Sequence, residues 1–169
     1  FFSACVLGPM GYLFANLGEH MYSPATKPEY GAVEPKTANF CSLSAALGAS
    51  WAKARRRCHK MYYHLTIAAE FERQHERPVG VGDEEAVRKI ANEMAARYGV
   101  TLEAAVPWEG MMEFVEAGEL TDMPALSAVL GGILAQEVLK AASGKGEPIR
   151  NFFFFSLADS AGTIEAAGC

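Results

Sequence analysis

The sequence lacks most of the local patterns that mark metal, nucleotide or nucleophile sites. Its four cysteines are scattered, with no Cys-x-x-Cys pair, so they suggest neither a zinc site nor a disulfide framework, and we expect reduced thiols. There is no Gly-rich loop between a strand and a helix and no Gly-x-Ser-x-Gly elbow. These absences predict a chain with no catalytic, cofactor-binding or metal-binding residues of its own.

Two classes of partner are also disfavoured. The formal net charge of −5 gives no general electrostatic footprint for nucleic acid. The longest apolar run, around residues 126–135, is interrupted by Gln136 and Glu137 and falls short of the roughly 20 residues that cross a bilayer. No signal peptide is visible. We therefore expect neither a nucleic acid nor a membrane partner.

What is present is a large apolar fraction. Half of the 169 residues are hydrophobic, which is enough for a real core in one domain, or one and a fraction. The chain opens on Phe1 and Phe2 without an initiator methionine and enters a predicted strand at once. This beginning leads us to expect a fragment that lacks an N-terminal part.

The stretch that organises the chain is an apolar helix followed by four phenylalanines. Asp122 suits the N-cap and Pro124 the first turn, where a missing N–H costs nothing. From Leu126 to Leu139 nearly every side is apolar, which predicts a helix that is buried all round and ends at Gly144. One side of this helix carries only small residues, so we expect a neighbouring backbone to approach it closely: Ala128, Gly131, Gly132, Ala135 and Ala142.

The phenylalanine run, residues 152–155, predicts a strand with two rings on each face. Such a strand must be covered on both sides, as inside a sheet packed between helices. A turn at residues 159–162 and a second short strand at 163–166 follow.

The remaining chain is read as a strand pair, a linker and a helical cluster. Strands are predicted at 1–7 and 12–17 around a turn at 8–11, and the Pro-containing stretch 21–39 shows no periodicity. A short helical turn is expected at 42–47 and helices at 53–75, 83–98 (capped by Asp83) and 107–117. The predicted organisation is an α/β domain from residues 1–20 and 121–169, a linker at 21–52 and a helical-bundle insertion at 53–120.

Few side chains in this plan suggest chemistry. Cys58 follows Arg55, Arg56 and Arg57, and a positive neighbourhood lowers a thiol pKa, but we favour a cysteine beside a solvated helix face. The wider basic cluster would suit an anion-binding or nuclear-import patch, but we favour a solvated helix face. It comprises Lys53, Arg55, Arg56, Arg57, His59 and Lys60. The four histidines form no pair at metal-ligand spacing, since His59 and His64 turn away from one another on a helix.

Glu137 is the most informative polar residue. It lies on the large-residue side of the apolar helix, where a lone carboxylate would be costly. It therefore needs a partner, such as Lys140 one turn on, a backbone N–H or a group across an interface. We favour a structural ion pair over a catalytic role.

Two segments carry a family resemblance. The first is Gly-Tyr-Leu-Phe-Ala-Asn-Leu-Gly-Glu-His at residues 11–20. The second is Pro-Ala-Leu-Ser-Ala-Val-Leu-Gly-Gly-Ile-Leu-Ala-Gln-Glu-Val-Leu-Lys at 124–140, continued by Asn-Phe-Phe-Phe-Phe at 151–155. Together they resemble the C-terminal half of the Aos-type small subunits of SUMO-activating enzymes, in the ThiF/MoeB-like superfamily. Residues 60–120 are more loosely similar to the helical bundle inserted in these enzymes.

The resemblance implies the C-terminal part of an adenylation-type, Rossmann-related α/β domain, without its nucleotide-binding-like half. It implies one half of a heterodimer whose large subunit binds ATP and Mg²⁺, adenylates SUMO and carries the thioester cysteine. None of the four cysteines here is followed by threonine, as the partner's cysteine is. The resemblance also implies a location in the nucleus, with the cytoplasm as a further location. It implies a structural or partner-interface role for a short helical segment: Gly131, Gly132, Ala135, Gln136 and Glu137.

Two alternatives remain open. One is the N-terminal half of another activating enzyme of the ubiquitin-like class, although residues 21–39 are too few to hold the extra cysteine half-domain of the single-chain enzymes. The other is a non-enzymatic interaction module that only binds a partner.

Overall fold

The chain folds around an antiparallel sheet of four strands in the computed structural model. The structure describes residues 1–24, 34–53, 58–106, 108–118, 123–158 and 160–168, without the side chains of residues 53, 104 and 109. The strands are β1 (Phe2–Leu7), β2 (Met10–Ala15), β3 (Glu19–Tyr22), β4 (Lys36–Asn39), β5 (Phe152–Ser156) and β6 (Ala161–Glu165). The main sheet has the order β1-β2-β5-β6, and β3 pairs with β4 in a separate two-stranded sheet.

Helices cover both faces of the main sheet. They are α1 (Leu43–Leu47), α2 (Lys60–His75), α3 (Glu84–Tyr98), α4 (Leu102–Ala105), α5 (Trp108–Gly118) and α6 (Pro124–Ser143), with short 3₁₀ turns at Trp51–Lys53 and Val81–Asp83. Helix α6 packs on β1 and β2, while the other face joins a core built mainly from α2, α3 and α5. A mixed α/β fold is therefore confirmed, with an antiparallel main sheet.

Strand β5 lies inside the sheet, between β2 and β6. Its register places Phe152 opposite Phe14 and Phe154 opposite Tyr12, on the face that meets the helical core. The Phe14 and Phe152 ring centroids are 4.9 Å apart, and both rings are fully buried. The prediction that the phenylalanine run is covered on both faces is confirmed for the helical face alone, because Phe153 and Phe155 on the opposite face are half-buried.

The opposite face of β2 accepts α6 through a glycine. Leu126 and Leu130, one turn apart on α6, are both buried, and their methyl groups lie against Gly11. A Cβ atom at Gly11 would overlap Leu130 Cδ1 and would stand 3.0 Å from the Cys5 carbonyl oxygen. The glycine thus lets the helix approach the strand closely.

The segment predicted as a linker contains ordered structure. Residues 21–52 include the end of β3, all of β4 and α1, and Tyr22 and Ala38 are buried. The prediction of a linker is wrong for these residues. Strands of four residues show too few alternations of apolar and polar side chains to stand out from a Pro-containing stretch. Helix α1 matches the short helical turn predicted at residues 42–47. The side chain of Ser42 caps it by accepting a hydrogen bond from the Ala45 N–H at 3.2 Å.

Several element boundaries also differ from those predicted. Helix α2 begins at Lys60 rather than residue 53, because the ring of His59 caps it by accepting from the Met61 N–H. Strand β2 begins and ends two residues earlier than expected, and α4 was not predicted. Helix α3 begins after Asp83 as predicted, but the Asp83 carboxylate binds Arg77 and the Gly80 N–H instead of capping the helix. Pro107, Asp122 and Asp159, which were given roles in the predicted helix starts and turn, lie outside the described residues.

A buried asparagine joins the C-terminal segment to the sheet. The Asn151 side chain donates to the Ala167 carbonyl at 2.9 Å and accepts from the Ala167 N–H at 3.0 Å. Its backbone carbonyl accepts from Ala15 and its backbone N–H donates to the Glu165 carbonyl. The polar groups of this fully buried residue are thus satisfied, as buried amides must be.

The contact at Gly11 makes the first prediction. Gly11→Ala should lower the free energy of unfolding by about 1–3 kcal/mol, because the new methyl group overpacks the α6–β2 contact. Urea denaturation monitored by circular dichroism measures this change. Gly82→Ala is the matched control, since an added Cβ there meets nothing within 4 Å. Equal stability of the two variants would contradict the close approach of α6 to β2.

Candidate functional site

Helix α6 has a sharply divided surface. Leu126, Leu130 and Glu137 are buried against the rest of the chain. The opposite side, which we call the α6 outer face, is open to solvent and combines small residues with one large aliphatic side chain: Ala128, Gly131, Gly132, Ala135, Leu139 and Ala142. Leu139 is 67% exposed, and Val138 beside it is 44% exposed.

The prediction that this helix is buried all round is wrong. A Cβ atom built on Gly131 or Gly132 meets nothing within 4 Å, so no neighbouring backbone approaches the small residues from within the described chain. Composition could not distinguish an apolar side that packs on the chain's own sheet from one that is left uncovered. The helix does end at Gly144, whose positive φ of 62° suits glycine.

Helix α6 is longer than the apolar run seen in the sequence. It has 20 residues and is the one helix in the described part of the chain that could span a membrane by length and composition alone. A single helix of this kind is weak evidence for a membrane protein. The inner side of α6 packs on the sheet and holds the ion pair between Glu137 and Lys140. A helix that faces lipid would not need such an ion pair.

Of the predicted interface residues, the structure separates Glu137 from the other four. Gly131, Gly132, Ala135 and Gln136 are exposed, whereas Glu137 is only 3% exposed. One carboxylate oxygen of Glu137 accepts from Lys140 Nζ at 2.6 Å, and the other accepts from the Ile149 N–H at 2.7 Å. The predicted structural ion pair is confirmed, and the backbone bond ties the helix to the segment that leads into β5.

A groove that the sequence analysis did not identify lies at the junction of α2, α5 and the ends of β2 and β5. Its volume is about 660 Å³. Its wall contains apolar side chains from Met10, Met61 and Ala117. It also contains charged side chains from Lys60, Glu113 and Glu116. The groove falls in the size range of ligand pockets in proteins.

His64 on α2 forms part of the groove wall and is 3% exposed. Neither ring nitrogen has a hydrogen-bond partner in the part of the chain that the structure describes. The ring packs against Phe114 of α5 with 5.5 Å between centroids. Burial, with a smaller contribution from nearby His59 and Lys60, lowers the pKa of His64 to about 4. The imidazole is therefore neutral at physiological pH.

The position of His64 in the sequence carried a signal for its burial. It occupies the same helical stripe as Met61, Ile67 and Phe71, all of which are buried. Spacing of three and four residues along a helix places such residues on one face. We considered this histidine as a metal ligand alone, and its place in the core was therefore not predicted.

Cys58 lies at the edge of the same groove but is a poor nucleophile. Burial, and then the nearby Glu165 carboxylate, raise the pKa of its thiol to about 12. Arg55, Arg56 and Arg57, whose charges were weighed as an activating influence, lie outside the described residues. Cys5, Cys41 and Cys58 carry reduced thiols, and Cys169 is not described. A thiol with a pKa near 12 is almost fully protonated at pH 7.

Metal binding finds no support in the described part of the chain. No group of three or more histidine, cysteine, aspartate or glutamate side chains there could hold a metal ion. The geometry instead presents an uncovered apolar helix face and a groove walled by a neutral histidine. These are features of binding and packing rather than of acid–base or nucleophilic chemistry.

Comparison with known proteins points to one group of relatives, although no family model matches the chain. SUMO-activating enzyme subunit 1B-1 of Arabidopsis thaliana is 32% identical over 168 residues, covering 98% of this chain and 51% of the relative. Subunit 1 from Bos taurus is 31% identical, and subunit 1 from Homo sapiens 30% identical, each over 199 aligned positions that cover 99% of this chain and 56% of the relative. The chain thus spans about half the length of the curated relatives it matches.

These relatives are subunits of enzymes that activate a ubiquitin-like modifier, and the chain is a homologue of that class. More particularly, it is a homologue of SUMO-activating enzyme subunit 1, matched over nearly its whole length. The resemblance drawn from residues 11–20, 124–140 and 151–155 is confirmed.

Removal of the Glu137 carboxylate should destabilise the fold. Glu137→Ala leaves the buried Ile149 N–H without an acceptor, which costs about 1–3 kcal/mol of unfolding free energy. Glu137→Gln should lose less, because an amide oxygen still accepts that bond. Urea titration provides the measurement, and Glu93→Ala on the exposed side of α3 is the control, expected to change stability by less than about 0.5 kcal/mol. A stable Glu137→Ala variant would remove the structural role assigned to the carboxylate.

The Cys58 thiol should resist alkylation in the folded protein. At pH 8 it is protonated and partly buried, so iodoacetamide should modify it far more slowly than in urea, where the pKa returns to its ordinary range. Peptide mass spectrometry after timed labelling gives both rates. Equal rates in the folded and unfolded states would show that the thiol is accessible and reactive.

Proposed function

We propose that this chain is the C-terminal part of the small, non-catalytic subunit of a heterodimeric SUMO-activating enzyme. It supports ATP-dependent adenylation of SUMO and transfer of SUMO to a thioester, while the ATP, the Mg²⁺ ion and the catalytic cysteine belong to the large partner subunit. The proposal includes a ThiF/MoeB-like adenylation fold with a helical-bundle insertion and a nuclear location. Homology to subunit 1 over nearly the whole chain supports it.

The observation that carries the proposal is the uncovered α6 outer face. An apolar helix side that is left open by its own chain is typical of a protein interface. Two glycines inside a helix cost roughly 2 kcal/mol relative to alanine. Nothing in the described chain uses the space that Gly131 and Gly132 leave open. A partner backbone packed against them would account for that cost, and we assign the face to the large subunit.

The state of the thiols supports a non-catalytic role. A protein that receives SUMO as a thioester needs a thiolate that is accessible and has a low pKa. Cys58 has the opposite properties, since its pKa is raised to about 12. Cys5, Cys41 and Cys58 lack the following threonine of the thioester motif. The covalent step therefore falls to the partner.

The geometry of α6 favours a protein partner over a membrane. The helix presents Leu126 and Leu130 to the sheet and holds Glu137 in an ion pair with Lys140 and a bond to Ile149. A membrane-spanning helix would face lipid on most sides, where a charged pair is costly. The α6 outer face is left open by the described part of the chain and is available for a further contact.

A charge placed on the α6 outer face should prevent assembly. Ala135→Arg would put a guanidinium on the apolar face, so we expect loss of co-purification with a SUMO-activating large subunit and loss of ATP-dependent SUMO thioester on that subunit. The measurement uses the full-length small subunit that contains this chain, co-expressed with the large subunit, with far-UV circular dichroism to verify folding. Ala96→Arg, on the exposed side of α3, is the matched control and should leave both readouts unchanged.

The same assay separates the candidate functions. Replacement of all four cysteines with serine should leave SUMO thioester formation intact. Thioester formation on ubiquitin but not on SUMO would assign the chain to another modifier enzyme. Binding of a large subunit without any thioester would favour a non-enzymatic interaction module. If Ala135→Arg assembles as well as Ala96→Arg, the α6 outer face is not the interface.

A further inference from the structure

The contact between α2 and α5 contains an ionisable ring that fits only in its neutral form. His64 lies between the backbone of Gly110 and the ring of Phe114, both on α5. A Cβ atom at Gly110 would stand 3.3 Å from His64 Cε1, so the ring lies closely against the α5 backbone. Because neither ring nitrogen has a hydrogen-bond partner among the described residues, a proton added to the ring would bury an uncompensated charge.

The charges around this contact make protonation in place still less favourable. His59 and Lys60, at the beginning of α2, are the groups whose charge acts on His64. From α5, Glu113 and Glu116 line the adjoining groove, although neither bonds to the ring. Cys58 also lines the groove, and its thiol is protonated. The groove residues from β2 and β5 are Met10 and Ser156, which carry no charge.

We propose that His64 is an acid-sensitive latch that holds α5 against α2, and that protonation of its ring releases α5. The groove beside the ring gives the released, charged imidazole a route to water and to the carboxylates of Glu113 and Glu116. Both ring nitrogens are buried behind the groove surface, so a molecule in the groove has no access to them while α5 is docked. The arrangement therefore acts on the packing of a helix and is not a ligand site.

The direction of the effect follows from proton linkage. The docked state holds the His64 pKa near 4, whereas a released, solvated histidine has its ordinary pKa of about 6.5. Below about pH 6.5 the released state binds more protons than the docked state. The docking equilibrium then shifts toward release by about tenfold per pH unit until about pH 4. Above pH 6.5 both states are neutral, and docking is at its strongest.

Two other ion pairs do not titrate in this window. The Arg73 guanidinium holds the pKa of Glu70 to about 2, and the Arg77 guanidinium does the same for Asp83. Both of these ion pairs therefore persist as the pH falls from 6.5 to 4. A change in α5 that disappears when His64 is replaced is attributable to the histidine contact.

Hydrogen exchange provides the test. Protection factors of the α5 amides, corrected for the intrinsic exchange rate, should fall by about 30-fold between pH 7.5 and pH 5. Those of α3 should fall much less, because α3 keeps its contact with α2. In His64→Phe, which retains a buried ring without a titratable group, α5 protection should be independent of pH over this range.

Two further variants complete the design. His64→Gln is a neutral replacement to use if the phenylalanine variant does not fold, and it carries the same expectation. His75→Gln, at the exposed end of α2, is the control and should keep the full pH dependence. The latch is ruled out if α5 and α3 lose protection together, which indicates global unfolding, or if the pH dependence survives the loss of His64.

Discussion

The fold depends on the pairing of β2 with β5, which joins two segments that lie far apart in the sequence. This pairing sets Phe14 beside Phe152 and Tyr12 opposite Phe154, and it creates the aromatic surface on which the helical core rests. Contacts of such long sequence separation carry a high loop-closure cost. Burial of each aromatic ring, worth on the order of 1.5–3 kcal/mol, offsets that cost. All six described helices lie in the chain segment that connects β2 to its neighbour β5.

The two faces of the sheet are covered in different ways. The helical side is a deep core with contributions from α2, α3 and α5. The other side is covered by α6, which uses a narrow apolar stripe inward and leaves the small residues of its outer face open. This asymmetry makes α6 a structural element on one side, and we propose its open side as the surface for a partner.

Three buried polar residues show how the same constraint is met in different ways. Glu137 has a cation and a backbone N–H, and Asn151 has backbone partners from the C-terminal segment. Both are satisfied, and both tie sequence-distant segments together. His64 has no hydrogen-bond partner among the described residues and is accommodated because an imidazole can be neutral. Its burial without a partner makes the packing sensitive to protonation of the ring.

Local sequence patterns were enough to predict the strands around the phenylalanine run, most helices, the need for a partner at Glu137 and the resemblance to the Aos-type subunits. These follow from local periodicity, from single-residue chemistry and from motif identity. Only the tertiary structure decided that α6 is open on one side, that residues 36–39 pair with β3 and that His64 is buried against α5. Whether an apolar face is covered, or a polar ring is enclosed, depends on which distant segments pack there, and a helical wheel does not contain that information.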